Sequence, residues 1–328
     1  MDVVTQDAEN FEIYKSSLLD QDKSLSPLYQ KGNLAYYQAY FQHDFKEKSF
    51  IIHYKKKPLL LLLVTESIDQ ECSYFGLPIQ LIWRNDATSD EKKGAIKLAI
   101  KQFEKTLNTK ENSINHIVYK DMFNSFSEDK SNHSISEFSL YLLKKGFPAV
   151  TAYSQTLHLQ QSEDLLLADV RKNYRADIRW GEKNMHFKLI DCESISKIDI
   201  SEFRDLHVSV SGKETRCMET WQKQHEFIES NEGFILFGYL DGKLVAASLF
   251  IHNENLCYYG VGAYRRELFD KPISHALVWR GVMHAKALGC QQFEFGEAFF
   301  PTKGTDKEIA ISRFKQGFGG DIVSYLSF

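Results

Sequence analysis

An internal repeat constrains this chain more tightly than any other feature of its sequence. Residues 49–66 read SFIIHYKKKPLLLLLVTE: an apolar run, a short Lys/Pro turn and a second apolar run. Residues 233–252 read GFILFGYLDGKLVAASLFIH, the same outline around an Asp-Gly turn, which is a strong hairpin signal. A helix is expected next in each half. In the first half Asp90 is the expected N-cap, and Ala95, Ile96, Ala99, Ile100 and Phe103 form an apolar stripe at helical spacing. In the second, Ser274 is expected to cap a run that is apolar nearly all round from Ala276 to Leu288, before Gly289 stops it. That second helix should be the more deeply buried. Short strands follow at 116–119 and 292–295. Each half then ends on one phrase: Lys144-Lys145-Gly146-Phe147 before a strand at 150–153, and Lys315-Gln316-Gly317-Phe318 before a strand at 322–325. Hairpin, helix, strand, phrase and strand in one order imply two tandem copies of one α/β domain, at 1–158 and 159–328.

Composition narrows the function. The chain has 328 residues, of which 43% are hydrophobic, enough for a core in each copy. Charged residues make up 26% and the net charge is −4, which speaks against a broad nucleic-acid-binding surface. The acidic N-terminus carries no export signal, and the greasiest run, Leu59 to Val64, is too short to span a bilayer. The five scattered cysteines read as reduced thiols in a cytoplasm, and no metal site is expected. No Ser-His-Asp order, P-loop or dinucleotide fingerprint appears; G-V-G-A-Y at 260–264 is too short for one. Between the halves, 162–183 reads as one helix in which Arg171, Arg175 and Arg179 share a stripe. The stripe is either a solvated charged face or a basic ridge beside a phosphate-bearing substrate.

Five phrases carry a resemblance: VRKNYRADIR (170–179), TRCMETW (215–221), FDKPISHALVW (269–279), FEFGE (293–297) and RFKQGFGG (313–320). With them the chain resembles the FemAB-like branch of the GNAT superfamily. The resemblance implies two tandem GNAT-type domains, each a mixed, mostly antiparallel sheet flanked by helices, with acyl transfer to an amine in the second. Some relatives take acyl-CoA. The cell-wall branch takes aminoacyl-tRNA to extend peptidoglycan peptides, and other members acylate amino sugars on nucleotide carriers. No long charged helical hairpin interrupts the second half, and the net charge gives little help with a polyanion. The expected partners are therefore small molecules: an acyl-CoA donor and a nucleotide-linked amino-sugar acceptor, for surface polysaccharide biosynthesis. An aminoacyl-tRNA-dependent peptidoglycan transferase and a non-catalytic binding module are the alternatives.

In the family a splay between two central strands opens a cleft for the donor. The resemblance places those strands at Leu256–Ala263 and Gln292–Gly296. The loop between them lacks the usual glycines, leaving Arg265, Arg266, Lys271, Ser274 and His275 as the anion-binding candidates. Glu297, directly after the second strand, is the expected general base or the group that orients the amine, with His207 as a second base. Tyr258 and Tyr259 should face opposite sides, Tyr259 as acid or hydrogen-bond donor and Tyr258 toward the acceptor. Arg175 and Arg216 are expected on a phosphate, and Trp221 and Trp279 on a base or sugar, with core packing the other reading for both tryptophans. The first half, without counterparts of Arg216, Trp221 and Glu297, is expected to be non-catalytic and to wall the acceptor pocket, with Tyr74 and Trp83 as candidates.

Overall fold

A computed structural model describes residues 1–41, 45–67, 70–107, 116–122 and 135–328. They divide into two compact units, neither of them one stretch of chain. Unit 1 is Met1–Leu25, Phe41–Ala152 and Ser324–Phe328; unit 2 is Ser26–Tyr40 and Tyr153–Val323. The single cut expected after residue 158 is corrected on three counts. The division falls at Ala152, the segment 26–40 belongs with the second half, and 324–328 belong with the first.

Unit 1 opens with β1 (Asp2–Thr5) and α1 (Phe11–Gln21). After α2 (Lys31–Phe41), which packs in unit 2, come β2 (Lys46–Glu47), β3 (Phe50–Tyr54), β4 (Lys57–Leu63), β5 (Thr65–Glu66), β6 (Glu71–Ser73) and β7 (Gln80–Trp83). Then follow α3 (Ser89–Leu107), β8 (His116–Ile117), β9 (Lys120–Met122), α4 (Glu137–Lys144) and the start of β10 (Val150–His158). One antiparallel sheet runs β1-β3-β4-β7; a smaller one runs β2-β5-β6-β8. The expected hairpin is β3 and β4. Lys55 and Lys56 form its two-residue turn, both at positive φ (50° and 64°). Right-handed strand twist demands that turn geometry, although lysine is a poor residue for it. The apolar stripe of α3 is buried as expected, with Ala95, Ala99 and Phe103 fully covered against Phe138 and Leu142 of α4. Its cap is one residue outside the helix: Thr88 accepts from the Glu91 N–H and Glu91 accepts from the Thr88 N–H, a capping box, so Asp90 sits in the first turn.

Unit 2 continues with α5 (Glu163–Asp169), α6 (Lys172–Asn184), β11 (His186–Ile190), α7 (Lys197–Ser211), α8 (Met218–Glu229), β12 (Gly233–Leu240), β13 (Lys243–His252) and β14 (Leu256–Tyr264). It ends with α9 (His275–Ala287), β15 (Gln292–Glu297), α10 (Asp306–Gln316) and β16 (Asp321–Ser327). Its strands order β11-β12-β13-β14-β15-β10-β16, all antiparallel where register is defined except β14 beside β15. The β12–β13 turn is Asp241-Gly242, again at positive φ on both residues. One face of the sheet carries α6 and α9, around Val278, Val282, Phe250 and Phe293; the other carries α7 and α8, around Phe203, Trp221, Phe227 and Phe237. As expected, α9 is buried nearly all round.

The expected helix over 162–183 is two helices. Val170 and Arg171 are extended (ψ 133° and 136°) because their neighbours bind elsewhere. The Arg171 N–H donates to the Gly317 carbonyl, and Asp169 accepts from the Gly320 N–H. Arg171 is thereby the residue before α6, so the three-arginine stripe does not exist as drawn. The strands after the two repeated phrases change company. Residues 154–158 of β10 pair with β15 in unit 2, and Tyr325–Ser327 of β16 pair with β9 in unit 1.

Candidate functional site

Two central strands of unit 2 come apart where the donor cleft is expected. β14 and β15 pair only from Leu256, Cys257 and Tyr258 to Gln292, Phe293 and Glu294. Beyond that point both strands bulge away. In β14 the partners of Leu249 and Phe250 are Val261 and Tyr259, which leaves Gly260 as the extra residue. In β15 the partners of Gln155 and Thr156 are Gly296 and Glu294, which leaves Phe295 over, and Gly296 takes φ +76°. Bulges of this kind bend a strand and strip local backbone N–H groups of ladder partners. A wedge with backbone donors toward a carbonyl oxygen is the chemistry that acyl transfer requires.

Tyr258 links this wedge to a pocket. A Cβ built on Gly296 would lie 2.7 Å from the Tyr258 hydroxyl, so only glycine lets the ring rest there. The same tyrosine, with Gly260 and Val261, lines a pocket of about 250 Å³ on the α7–α8 face. Its other walls are Asn33, Tyr36, Tyr37 and Tyr40 of α2, and Arg216 and Gln224. Glu232 accepts from the N–H groups of Gly32 (3.0 Å) and Asn33 (3.2 Å), which fastens the start of α2 onto unit 2. A carboxylate is the natural cap for a helix N-terminus, although burial raises its pKa.

Arg216 is the cation of this pocket. Its Nη1 donates to the Tyr36 hydroxyl at 3.0 Å, and its guanidinium lies 5.9 Å from the Tyr36 ring centre and 5.1 Å from that of Trp221. Among the described residues no carboxylate stands within ion-pair distance of it, and its Nε has no hydrogen-bond partner. Burial raises the Tyr36 phenol, against which the guanidinium works. His207 lies on the other side of Trp221, ring centres 5.5 Å apart, with its pKa lowered to about 4 by burial and then by the Arg216 charge. A half-buried guanidinium among aromatic hydroxyls, with no carboxylate beside it among the described residues, can hold an anionic ligand group.

The other expected residues fall into three groups. Glu297 is exposed at the end of β15, and its carboxylate and that of Glu294 act on the Lys315 ammonium, whose pKa burial lowers. Arg175 is half-buried on α6, while Arg266 is exposed and Lys271 half-buried in the loop before α9. Arg265 is already engaged: its Nε donates to the Leu244 carbonyl at 3.0 Å and its Nη1 pairs with Glu267 at 3.3 Å. Five residues do not take the ligand-binding or catalytic roles considered for them. Trp221 is 1% exposed and Trp279 5%, each packed in a core, so neither can stack on a ligand. Ser274 makes no side-chain cap: its φ/ψ of −90°/−28° is already helical, not the extended geometry of a capping residue. His275 is packed among Tyr174, Phe314 and Phe318 and pairs with Asp177 at 3.7 Å. Tyr259 does face opposite to Tyr258, but its hydroxyl bonds that of Tyr264 at 2.7 Å, which bonds Ser248 at 2.7 Å. Tyr258, expected only beside the acceptor, is the tyrosine at both wedge and pocket.

Residues from the first half of the sequence do line this pocket, but Tyr74 and Trp83 are not among them. Both belong to unit 1, Tyr74 1% exposed and Trp83 packed against its core. The wall is Asn33, Tyr36, Tyr37 and Tyr40. The dense aromatics of KGNLAYYQAY were the available signal, on a helix with no marked apolar face.

Residues 168–304 match the family model described as an acetyltransferase (GNAT) domain. The crystal structure of FemX superposes with a TM-score of 0.66 at 11% identity, covering 99% of this chain and 97% of that one. A tandem GNAT protein from the clavulanic acid biosynthesis pathway gives 0.56 at 10% identity, with coverage of 99% and 97%. L-PGS from Bacillus licheniformis gives 0.54 at 13% identity, with 93% of each chain covered. No curated protein sequence matches. The fold is therefore a mixed α/β one, mostly antiparallel, similar to that of the tandem GNAT protein, and the part that matches an acetyltransferase (GNAT) domain lies in the second half. Among the described residues no helix is long and apolar enough to cross a membrane, and no cluster of three metal-ligating side chains occurs.

Proposed function

We propose that the protein is an N-acyltransferase that moves an acyl group from acyl-CoA to the amine of a nucleotide-linked amino sugar. The observation that carries this reading is Arg216, a guanidinium with no carboxylate beside it among the described residues, in a pocket that borders the strand wedge. In this reading the sugar nucleotide lies in the pocket with a phosphate on Arg216. The thioester carbonyl enters the wedge, and backbone N–H groups near Gly260 receive its oxygen as charge develops. The amine attacks, the C–N bond forms and the C–S bond breaks. The amine proton passes to Glu297, and the Tyr258 hydroxyl protonates the departing thiolate.

The test is to mix acyl-CoA with nucleotide-linked amino sugars and follow thiol release. Absence of CoA binding by calorimetry would overturn the reading. The fold likeness to FemX does not choose the donor, so charged tRNA belongs in the same experiment. A salt-sensitive gel shift with charged tRNA, without CoA binding, would favour the aminoacyl-tRNA-dependent alternative. Intact function in Glu297→Gln and Arg216→Ala would favour a non-catalytic module.

A further inference from the structure

The pocket contains more buried polar atoms without partners than a solvated depression needs. Asn33 is fully buried and its Nδ2 donates to the Leu28 carbonyl at 2.7 Å, which fixes the amide so that Oδ1 is the unpartnered atom. Gln224 is 1% exposed, and its Oε1 is likewise unpartnered. Both residues line the pocket beside Arg216. A buried carbonyl-type oxygen without a donor is costly, and natural proteins keep few of them without a reason. An occupant of the pocket that carries hydrogen-bond donors can pair these two. The diester oxygens of a sugar nucleotide's diphosphate supply none at neutral pH; sugar hydroxyls, amide N–H groups and base N–H groups do.

We infer that Asn33 and Gln224 are specificity-determining residues that read hydrogen-bond donors on the sugar or base, while Arg216 reads only the anion. This deepens the acceptor reading above and rests on it. The pocket would then discriminate by chemistry against an anion lacking donors, because such a ligand leaves both oxygens unpaired.

The experiment is calorimetry with inorganic pyrophosphate and with a nucleoside-diphosphate amino sugar, on the full chain and on Gln224→Leu, Asn33→Leu and Arg216→Met. Gln224→Leu should weaken the sugar nucleotide about tenfold and leave pyrophosphate unchanged, whereas Arg216→Met should weaken both. Gln224→Leu should also melt at or above the parent's temperature without ligand, since it removes an unpaired buried oxygen. A purely structural glutamine would instead lower the melting temperature. Unchanged sugar-nucleotide affinity in Gln224→Leu, or an equal loss for both ligands, would overturn the inference. If the parent chain binds neither ligand, the acceptor reading itself fails, and that outcome is distinct from the other two.

Discussion

Replacing Arg216 by methionine keeps the aliphatic stem over Trp221 and removes the charge, and His207 reports the change. In the folded chain His207 is held at about 4, against 6.5 for an ordinary histidine, with burial as the larger cause and the Arg216 charge as the second. The sign follows from linkage: a base whose folded pKa is depressed stabilises the fold above pH 6.5 and loses that contribution as pH falls toward 4. The gap sets a ceiling of roughly 3 kcal/mol, and solvent screening at a ring that is not fully buried reduces this to ~1–2 kcal/mol. In Arg216→Met the His207 pKa should rise by roughly half to one pH unit and stay below the ordinary value, because burial remains. The acid-side loss of stability should shrink in step. Histidine proton resonances followed against pH, with His207→Gln to assign the signal, measure the first effect. Urea unfolding at pH 7.5 and pH 5 measures the second. A wild-type His207 titrating near the ordinary value, or one that does not move in Arg216→Met, would refute the electrostatic coupling on which the proposed anion preference rests.

Gly296→Ala should cost ~2 kcal/mol in urea unfolding, since its φ is +76° and the new methyl displaces the Tyr258 ring, and it should raise the acceptor KM. Glu297→Gln should lower kcat by about 10²-fold or more with little change in donor affinity, read by thiol release. Lys56→Gly in the first hairpin turn, where φ is 64°, should stabilise the protein by about 1 kcal/mol in thermal or urea unfolding.

The sequence disclosed whatever depends on local periodicity. Both hairpins, the α3 stripe, the all-round burial of α9 and the strands after each K-x-G-F phrase lie where their patterns put them. It did not disclose features that tertiary contacts decide. Nothing local breaks the helix at Val170; the break comes from bonds to Gly317 and Gly320, far along the chain. Large aromatics on amphipathic helices look alike as core or ligand platform, so both readings stood open for Trp221 and Trp279, while Tyr36 and Tyr37 went unnoticed. The strand wedge rests on two one-residue bulges, which alternation alone cannot locate. The cap at Thr88 was legible: Thr88 and Glu91 spell a capping box.

The exchange of end strands has a consequence for synthesis. Unit 1 includes Ser324–Phe328, so it lacks part of its structure until the whole of unit 2's sequence has been translated. Unit 2 in turn includes Ser26–Tyr40, which emerges from the ribosome long before its partners and must wait for them. Neither unit can be made by cutting the gene once: a break after residue 158 strips each of a segment that the other fragment carries. Unit 2 has all its segments once Val323 is made, whereas unit 1, begun first, is completed only by the residues that follow.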